Sequence, residues 1–296
     1  MLIREKLQLK TNFSANESYL ADYLLNNEQI LKDLSARFIA SETYTSAASV
    51  IRLCKKLGYS GFNDFKNDYL KELKYRESNF NNIDANYPFT YKDRNIVVAN
   101  KIGSLYKETI DDTLSLLNNE SLVVATKILK KAQIIYVCSS GVQSELASVF
   151  RDKMTKIGKT VVIDPKLDDM FYSACYANTN CCFLMISYSG ETEMLLRVAK
   201  KVNEKNIPSI AITSFGKNTL SSLIDCCINL STREKLITNL GSFGINISTM
   251  FLLDILYANC FNLNYEGNIE NKLKYSFEFE KYRHSENPIL HEEKEE

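Results

Sequence analysis

The sequence predicts an α/β protein in which an all-α N-terminal domain precedes a domain built on a parallel β-sheet. Residues 13–75 carry apolar side chains at helical spacing and contain few glycines. Residues 94–265 alternate short apolar runs with helical patterns, which is typical of a parallel sheet covered by helices on both faces. The 296-residue chain has room for two such domains, because one domain takes roughly 100–200 residues.

The domain boundaries follow from changes in composition. Residues 76–93 are rich in asparagine and hold the first proline, so they are predicted to form a linker. This divides the chain into a helical domain (1–75), the linker, a sheet domain (94–265) and a charged C-terminal tail (266–296). The predicted strands are 134–138, 160–164, 181–187, 209–213 and 226–230. A long apolar helix over 244–261 is predicted to serve either as core or as a dimer face.

The composition excludes several classes of protein. With 45% hydrophobic residues and a net charge of zero, the chain is neither disordered nor a globally basic nucleic-acid coat. No apolar run approaches the roughly 18 residues of a membrane span, so we expect a cytoplasmic protein without a membrane partner. The eight cysteines form no CxxC pair, and both histidines lie near the C-terminus. We therefore expect buried reduced thiols, no metal site and no cofactor.

The helical domain contains a candidate helix-turn-helix. Two short helices, 34–40 and 46–57, flank the polar segment 41–46, and no acidic residue lies between Thr43 and Leu57. In such a motif the second helix enters the major groove of DNA, where small and basic side chains reach bases and phosphates. The candidate DNA contacts are Thr45, Ser46, Ala47, Ser49, Arg52, Lys55 and Lys56. A helical bundle that only packs, or that binds another protein, is the alternative interpretation.

The stretch 34–66 resembles the N-terminal helix-turn-helix of RpiR/MurR-type bacterial transcription regulators. The basic run 52–58 (RLCKKLG) and the run 61–66 (GFNDFK) agree with that family at basic, apolar and glycine positions. One departure is Thr45-Ser46, where the family usually has Val-Ser at the start of the recognition helix. The resemblance implies that double-stranded operator DNA is a partner.

A second motif follows the strand predicted at 181–187. Ser-Tyr-Ser-Gly-Glu-Thr (187–192) leads directly into a helix, so backbone N–H groups and a positive dipole end are available to an anion. Gly190 allows close approach, and Ser187, Ser189 and Thr192 supply hydroxyl donors. An ordinary helix cap rich in serine and threonine is the alternative.

This hexapeptide resembles the S-x-S-G-[ED]-T signature of SIS domains, which follow the helix-turn-helix in RpiR-type regulators. The resemblance covers about residues 95–265 and implies a SIS-type α/β sandwich that binds a phosphorylated sugar. It adds Glu191 to the candidate ligand residues. A second SIS loop corresponds to 138–144, where Ser139 stands at the family's first glycine and Gln143 or Ser144 at its usual serine. The candidate ligand residues of this loop are Ser139, Ser140, Gln143 and Ser144, and the alternative for Ser139 and Ser140 is that they only cap the next helix. Glu234 is a third candidate, as a carboxylate for sugar hydroxyls or as part of a solvated charge cluster.

The two motifs together predict a transcription regulator whose sugar-phosphate effector modulates operator binding. An aldose–ketose isomerase is the enzymatic alternative, but isomerisation needs a titratable base and residues 95–265 contain no histidine. We therefore expect no catalytic residues. A regulator that controls another protein is the other alternative. A homodimer or homotetramer is expected, because two DNA-binding heads on two half-sites multiply specificity.

Overall fold

A computed structural model describes residues 3–79, 83–164, 166–281, 283, 285–287 and 289, and it confirms the predicted α/β class. The N-terminal helices are α1 (Ile3–Leu9), α2 (Ala15–Asn26), a 3-10 helix (Glu28–Asp33), α3 (Ala36–Glu42), α4 (Ala47–Lys56) and α5 (Phe62–Asn79). The remaining helices are α6 (Asn95–Leu116), α7 (Asn119–Lys131), α8 (Val142–Thr155), α9 (Leu167–Tyr176), α10 (Glu193–Glu204), α11 (Thr219–Leu223), α12 (Phe243–Asn262) and α13 (Tyr265–Phe279). The strands are β1 (Ile134–Cys138), β2 (Thr160–Ile163), β3 (Cys181–Ser187), β4 (Ser209–Ser214) and β5 (Cys226–Leu230).

The N-terminal helices enclose a core of their own. Leu53 of α4 packs with Leu20 of α2 and with Phe65 and Tyr69 of α5, and all four side chains are fully buried. A capping box formed by Ser14 and Glu17 begins α2. Helix α5 continues past residue 75 into the predicted linker, because arginine and glutamate at 76–77 favour helix.

The sheet is parallel throughout, with strand order β2-β1-β3-β4-β5. All seven residues of the central strand β3 are buried. Successive side chains of a strand point to opposite faces, so Leu184 and Ile186 pack on one side of the sheet and Phe183 and Met185 on the other. Helices therefore cover both faces, as a fully apolar parallel strand requires.

Helix α12 is the core helix of the sheet domain. Its 20 residues have a mean hydropathy of 1.3 over the most apolar window, enough by length and composition alone to cross a membrane. In the fold, however, Leu252, Leu253, Leu256 and Cys260 belong to the core between the sheet and helices α7 and α8. A buried hydrogen bond of 2.9 Å between Ser248 of α12 and a threonine of α6 fixes the helix laterally.

Helix α13 forms the first half of the predicted tail and has no buried residue. Tyr265, Ile269, Leu273 and Phe277 lie four residues apart, and each is more than a third exposed. The helix thus carries an apolar stripe along one side. The end of the predicted charged tail, residues 291–296, lies outside the described residues.

Replacing Leu256 with alanine is expected to lower the free energy of unfolding by about 2–5 kcal/mol, because it deletes a fully buried side chain. Met250 on the same helix is 37% exposed, so Met250→Ala is the control and should cost less. Urea unfolding followed by circular dichroism measures both variants. Equal losses would contradict the placement of α12 in the core.

Candidate functional site

The predicted helix-turn-helix is formed by α3 and α4. Tyr44 takes a left-handed conformation (φ +50°) and is 96% exposed, so the chain reverses within three residues. The Thr45 N–H donates to the Ala40 carbonyl at 2.9 Å, which closes the turn. Ser46 caps α4 by accepting a bond from the Ser49 N–H at 3.1 Å. The buried side of α4 packs on α2 and α5, and its other side is open to solvent.

Some of the predicted DNA-contacting side chains are exposed to solvent, and others contact residues of their own domain. Arg52 and Lys55 are exposed, and neither makes an ion pair within the described part of the chain. Ser46 is exposed, whereas Thr45, Ala47 and Ser49 are half-buried around the turn. Lys56 is held by its own domain, since its Nζ lies 2.7 Å from Glu17 Oε2 of α2 and also contacts the Asn12 carbonyl. This hydrogen bond from Lys56 is the largest cause of the lowered pKa of Glu17. The role of these residues on DNA stays a prediction.

The second candidate site lies where the strand order reverses. The chain moves outward from β1 to β2 in one direction and from β3 to β5 in the other, so the switch point falls between β1 and β3. The register sets Cys138 opposite Met185, and loops 139–144 and 187–192 therefore leave neighbouring strands at the same edge of the sheet. In open α/β sheets, ligands bind in the crevice at such a point.

Loop 187–192 is ordered by its own hydroxyl groups. Ser187 Oγ and Thr192 Oγ1 are 3.0 Å apart, and the Gly190 N–H donates to Ser187 Oγ at 3.2 Å. The Glu191 N–H donates to Ser189 Oγ at 3.1 Å. Thr192 precedes α10 but makes no side-chain cap bond. The loop thus sets hydroxyl groups beside the N-terminus of α10, where the first-turn amides lack a side-chain partner.

Asn218 supports this loop and was missed from the sequence. Gly190 has φ +67°, and a Cβ added there would lie 2.1 Å from Asn218 Oδ1, so only glycine fits. Asn218 also caps α11 and donates to Thr213 Oγ1 at 3.1 Å. Its spacing to Ser221 is a capping-box signal, but its contact with residue 190 is visible only in the fold.

Loop 139–144 lies beside loop 187–192 at this edge of the sheet, and we call the space between the two loops the cleft. Ser139 is buried, and its Oγ lies 3.1 Å from Ser144 Oγ, whereas Ser140 is exposed. Gly141 precedes α8 at φ +58° and gives that helix no side-chain cap. Gln143 turns toward α12, where its Nε2 donates to Asn246 at 3.1 Å. Its Oε1 is buried without a partner among the described residues, so one strong acceptor remains available.

Glu234 is buried, in contrast to the solvated alternative, and it caps α12. Its Oε2 accepts the Ile245 N–H at 2.7 Å, and backbone bonds from Gly244 and Phe243 also stabilise the carboxylate. Burial outweighs these bonds and raises the pKa of Glu234. Its Oε1 has no partner among the described residues. Glu234 therefore offers one free acceptor at the edge of the sheet.

Arg233 was also missed from the sequence. Its side chain is 3% exposed and lies 2.8 Å from Glu108 Oε2 of α6, and it donates to the Ile83 carbonyl of the linker. In the same linker, Asn86 Oδ1 accepts the Lys235 N–H at 2.7 Å. No local pattern marks these contacts, because the partners lie more than 100 residues apart. They fasten the linker to the segment that carries Glu234.

The chemistry of the cleft suits an anion that carries hydroxyl groups. Hydroxyl donors and two helix N-termini without side-chain caps can hold a phosphate. Gln143 Oε1 and Glu234 Oε1 are acceptors without a partner among the described residues, and both atoms are buried. Across the described ranges, no group of three or more His, Cys, Asp or Glu side chains is placed to hold a metal ion.

Comparisons with known proteins match both domains. Residues 1–75 match the helix-turn-helix domain of the rpiR family, and residues 128–259 match the SIS domain. An uncharacterized HTH-type transcriptional regulator of Caldanaerobacter subterraneus is 27% identical over 84% of this chain and 86% of that protein.

Solved structures share the fold. The Vibrio vulnificus NanR protein, complexed with ManNAc-6P, aligns over 93% of this chain and 98% of that chain with a TM-score of 0.60 and 21% identity. A putative sugar-phosphate isomerase from Listeria monocytogenes aligns over 62% of this chain and 98% of that chain, with a TM-score of 0.53 and 12% identity. The two family matches follow one another in the order of the two structural domains, and the chain belongs to the RpiR-type family of helix-turn-helix transcription regulators that carry a SIS domain.

Proposed function

We propose that this regulator binds double-stranded operator DNA through α4 and a phosphorylated sugar in the cleft between loops 139–144 and 187–192. The observation that carries the proposal is the meeting of two hydroxyl-rich loops and two helix N-termini without side-chain caps at one switch point. Occupancy of the cleft changes operator affinity, because the ligand favours one arrangement of the DNA-binding heads over another.

The NanR complex supports the ligand class. That protein was solved with ManNAc-6P, a phosphorylated sugar, and its fold covers both domains of this chain. A thermal-shift screen against phosphorylated sugars identifies the ligand, because a molecule that binds only the folded state raises the melting temperature. The unphosphorylated sugars are the control and should give a smaller shift.

We further propose a cytoplasmic homodimer, with a homotetramer as the larger alternative. Two heads are needed for two operator half-sites, and the exposed apolar stripe of α13 offers a surface for pairing. Sedimentation at several concentrations measures the oligomeric state. A regulator that controls another protein instead of DNA would give no gel shift with the chain's own upstream DNA.

The cleft is proposed to bind without catalysing. Enediol chemistry needs a base poised over the sugar, and residues 95–265 contain no histidine. The Glu234 carboxylate is already engaged with the N-terminus of α12. An isomerase is the second candidate, because Glu234 is buried with a raised pKa and one free oxygen among the described residues, and the Listeria protein shares the fold.

Replacing Ser189 and Thr192 together with alanine is expected to abolish the response to the sugar phosphate while operator binding without ligand persists. The double variant removes two hydroxyl groups beside the N-terminus of α10. Calorimetry measures ligand binding, and fluorescence anisotropy measures DNA binding. Thr155→Ala, an exposed threonine at the end of α8, is the matched control. An unchanged ligand response in the double variant would place the ligand elsewhere.

On DNA, Arg52→Ala is expected to weaken specific binding by about 1–3 kcal/mol if the guanidinium reads a base. Lys55→Ala should weaken binding to any sequence and reduce its salt dependence, because an exposed ammonium contacts phosphate. Lys56→Ala should have a smaller effect on DNA, because Glu17 already holds that ammonium. Anisotropy titrations at several salt concentrations measure all three variants. Three variants that bind like the unmodified protein would exclude α4 as the recognition helix.

Deuterium incorporation separates the sensor from the isomerase. Incubating the protein in deuterated water with aldose and ketose phosphates should give no deuterium at C1 or C2 and no interconversion. Nuclear magnetic resonance measures both. Incorporation that disappears in Glu234→Gln would establish the isomerase in place of the sensor.

A further inference from the structure

The loop between β4 and α11 touches both domains. Lys217, near the tip of this loop, places its Nζ 3.4 Å from Asp64 and 3.3 Å from Asp68, both on α5 of the DNA-binding domain. The same ammonium lies 4.4 Å from the ring centroid of Tyr59, at cation–π distance. Three groups of the N-terminal domain therefore converge on one side chain of the sheet domain.

The other end of this loop is bound to the proposed phosphate loop. The Thr219 N–H donates to Glu191 Oε1 at 2.9 Å, and the Leu220 N–H donates to the Gly190 carbonyl at 3.0 Å. The Asn218 side chain fills the space above Gly190, where a Cβ cannot fit. Residues 218–220 are thus bonded to or packed on 190–191, and Lys217 immediately precedes them in the chain.

The contact between the two domains is suited to change. Lys217, Asp64 and Asp68 are 45%, 38% and 26% exposed, and ion pairs this open to solvent are individually weak and sensitive to salt. A cavity of about 150 Å³ remains between α1, α5 and residues 215–217, so the surfaces are not closely packed. A ligand can alter such a contact, whereas it could not alter a packed apolar core.

A second cation lies in the same contact. Lys6 of α1 is half-buried, with Glu72 of α5 and Glu191 of the proposed phosphate loop as its acidic neighbours and Lys217 as its basic one. Burial lowers the pKa of Lys6, and the two glutamates partly offset this effect. Glu191 therefore bonds the start of α11 and also acts electrostatically on Lys6 of the DNA-binding domain.

We propose that the β4–α11 loop couples the cleft to the DNA-binding domain, with Lys217 as the positioning residue that holds α5 through Asp64 and Asp68. This inference rests on the proposed function, because it assigns the route by which a ligand at 187–192 changes operator affinity. A ligand that moves Gly190 and Glu191 moves the start of α11, and with it the ion pairs to α5. We call the ion pairs of Lys217 with Asp64 and Asp68 the clamp. The exposed face of α4 takes no part in these contacts, so the clamp sets the position of the recognition helix without covering it.

The test compares Lys217→Ala with Lys217→Arg, which keeps the charge, and with Lys200→Ala, an exposed lysine on α10. Operator affinity is measured with and without ManNAc-6P as the probe. Effectors typically change affinity about 5–150-fold. We expect a ratio in this range for the unmodified protein, Lys217→Arg and Lys200→Ala, and a ratio near one for Lys217→Ala. Calorimetry should show that Lys217→Ala still binds the probe.

Asp68→Asn tests the same ion pair from the other domain. Asp68 is the better partner to alter, because Asp64 also accepts hydrogen bonds from the Ser60 N–H and hydroxyl at the start of α5. The ratio should fall as in Lys217→Ala, and combining the two changes should lower it no further. A Lys217→Ala protein that binds the probe and keeps the full ratio would overturn the coupling route while leaving the proposed function intact.

Hydrogen exchange of the ligand-free protein makes the test independent of the probe. Lys217→Ala should raise amide exchange in residues 59–72 and 214–220, and Lys200→Ala should not. If the unmodified protein neither binds nor responds to ManNAc-6P, the ligand assignment fails for that sugar, and exchange then decides on the clamp. Faster exchange in both segments supports the clamp, and unchanged exchange overturns it.

Discussion

Burial of β3 on both faces is the constraint on which the sheet domain depends. A strand whose seven residues are all buried must lie inside a sheet that has helices on each side. Each parallel pair then needs a crossover that returns the chain to the opposite edge, so every strand ends at the same side. This arrangement brings loops 139–144 and 187–192 together although they are distant in the sequence. Apolar burial thus creates a polar cleft, in which Ser187 still belongs to β3 while residues 188–192 lie outside the strands.

The contact between the two domains depends on polar groups rather than on apolar packing. Inside each domain, apolar side chains pack closely, whereas between the domains charged groups meet across incompletely filled space. Lys217 forms ion pairs with α5. The linker is joined to residues 233–235 by the bond from Arg233 to the Ile83 carbonyl and by the bond from the Lys235 N–H to Asn86. Polar contacts of this kind have directional geometry but little net strength, so each contributes little to the free energy that holds the two domains together.

The sequence was sufficient to predict the strands and the serine-rich loop, but it did not show which distant side chains contact one another. Five apolar runs predicted the strands almost to the residue, because a buried parallel strand leaves an unbroken apolar signal. The serine-rich loop 187–192 was found because it follows a strand and opens a helix. No such signal marks three contacts that the fold creates: Asn218 with Gly190, Arg233 with Glu108, and Lys56 with Glu17. Each joins segments that only the fold brings together, and periodicity reports on neighbours along the chain.

The separation between sheet and loops also bears on how this chain diverges. By its resemblance to SIS domains, loop 139–144 carries Ser139 at the position of a family glycine, and the exposed Ser140 and Gly141 contribute almost nothing to the buried core. Substitutions at Ser140 therefore alter the shape of the cleft at little cost in folding stability, whereas Gly141 is constrained by its left-handed backbone (φ +58°). Position 190 has no such freedom, since Asn218 occupies the space that any side chain would need. Loop 139–144 can therefore change in sequence to fit other sugars, whereas loop 187–192 on the opposite side of the cleft is constrained at Gly190.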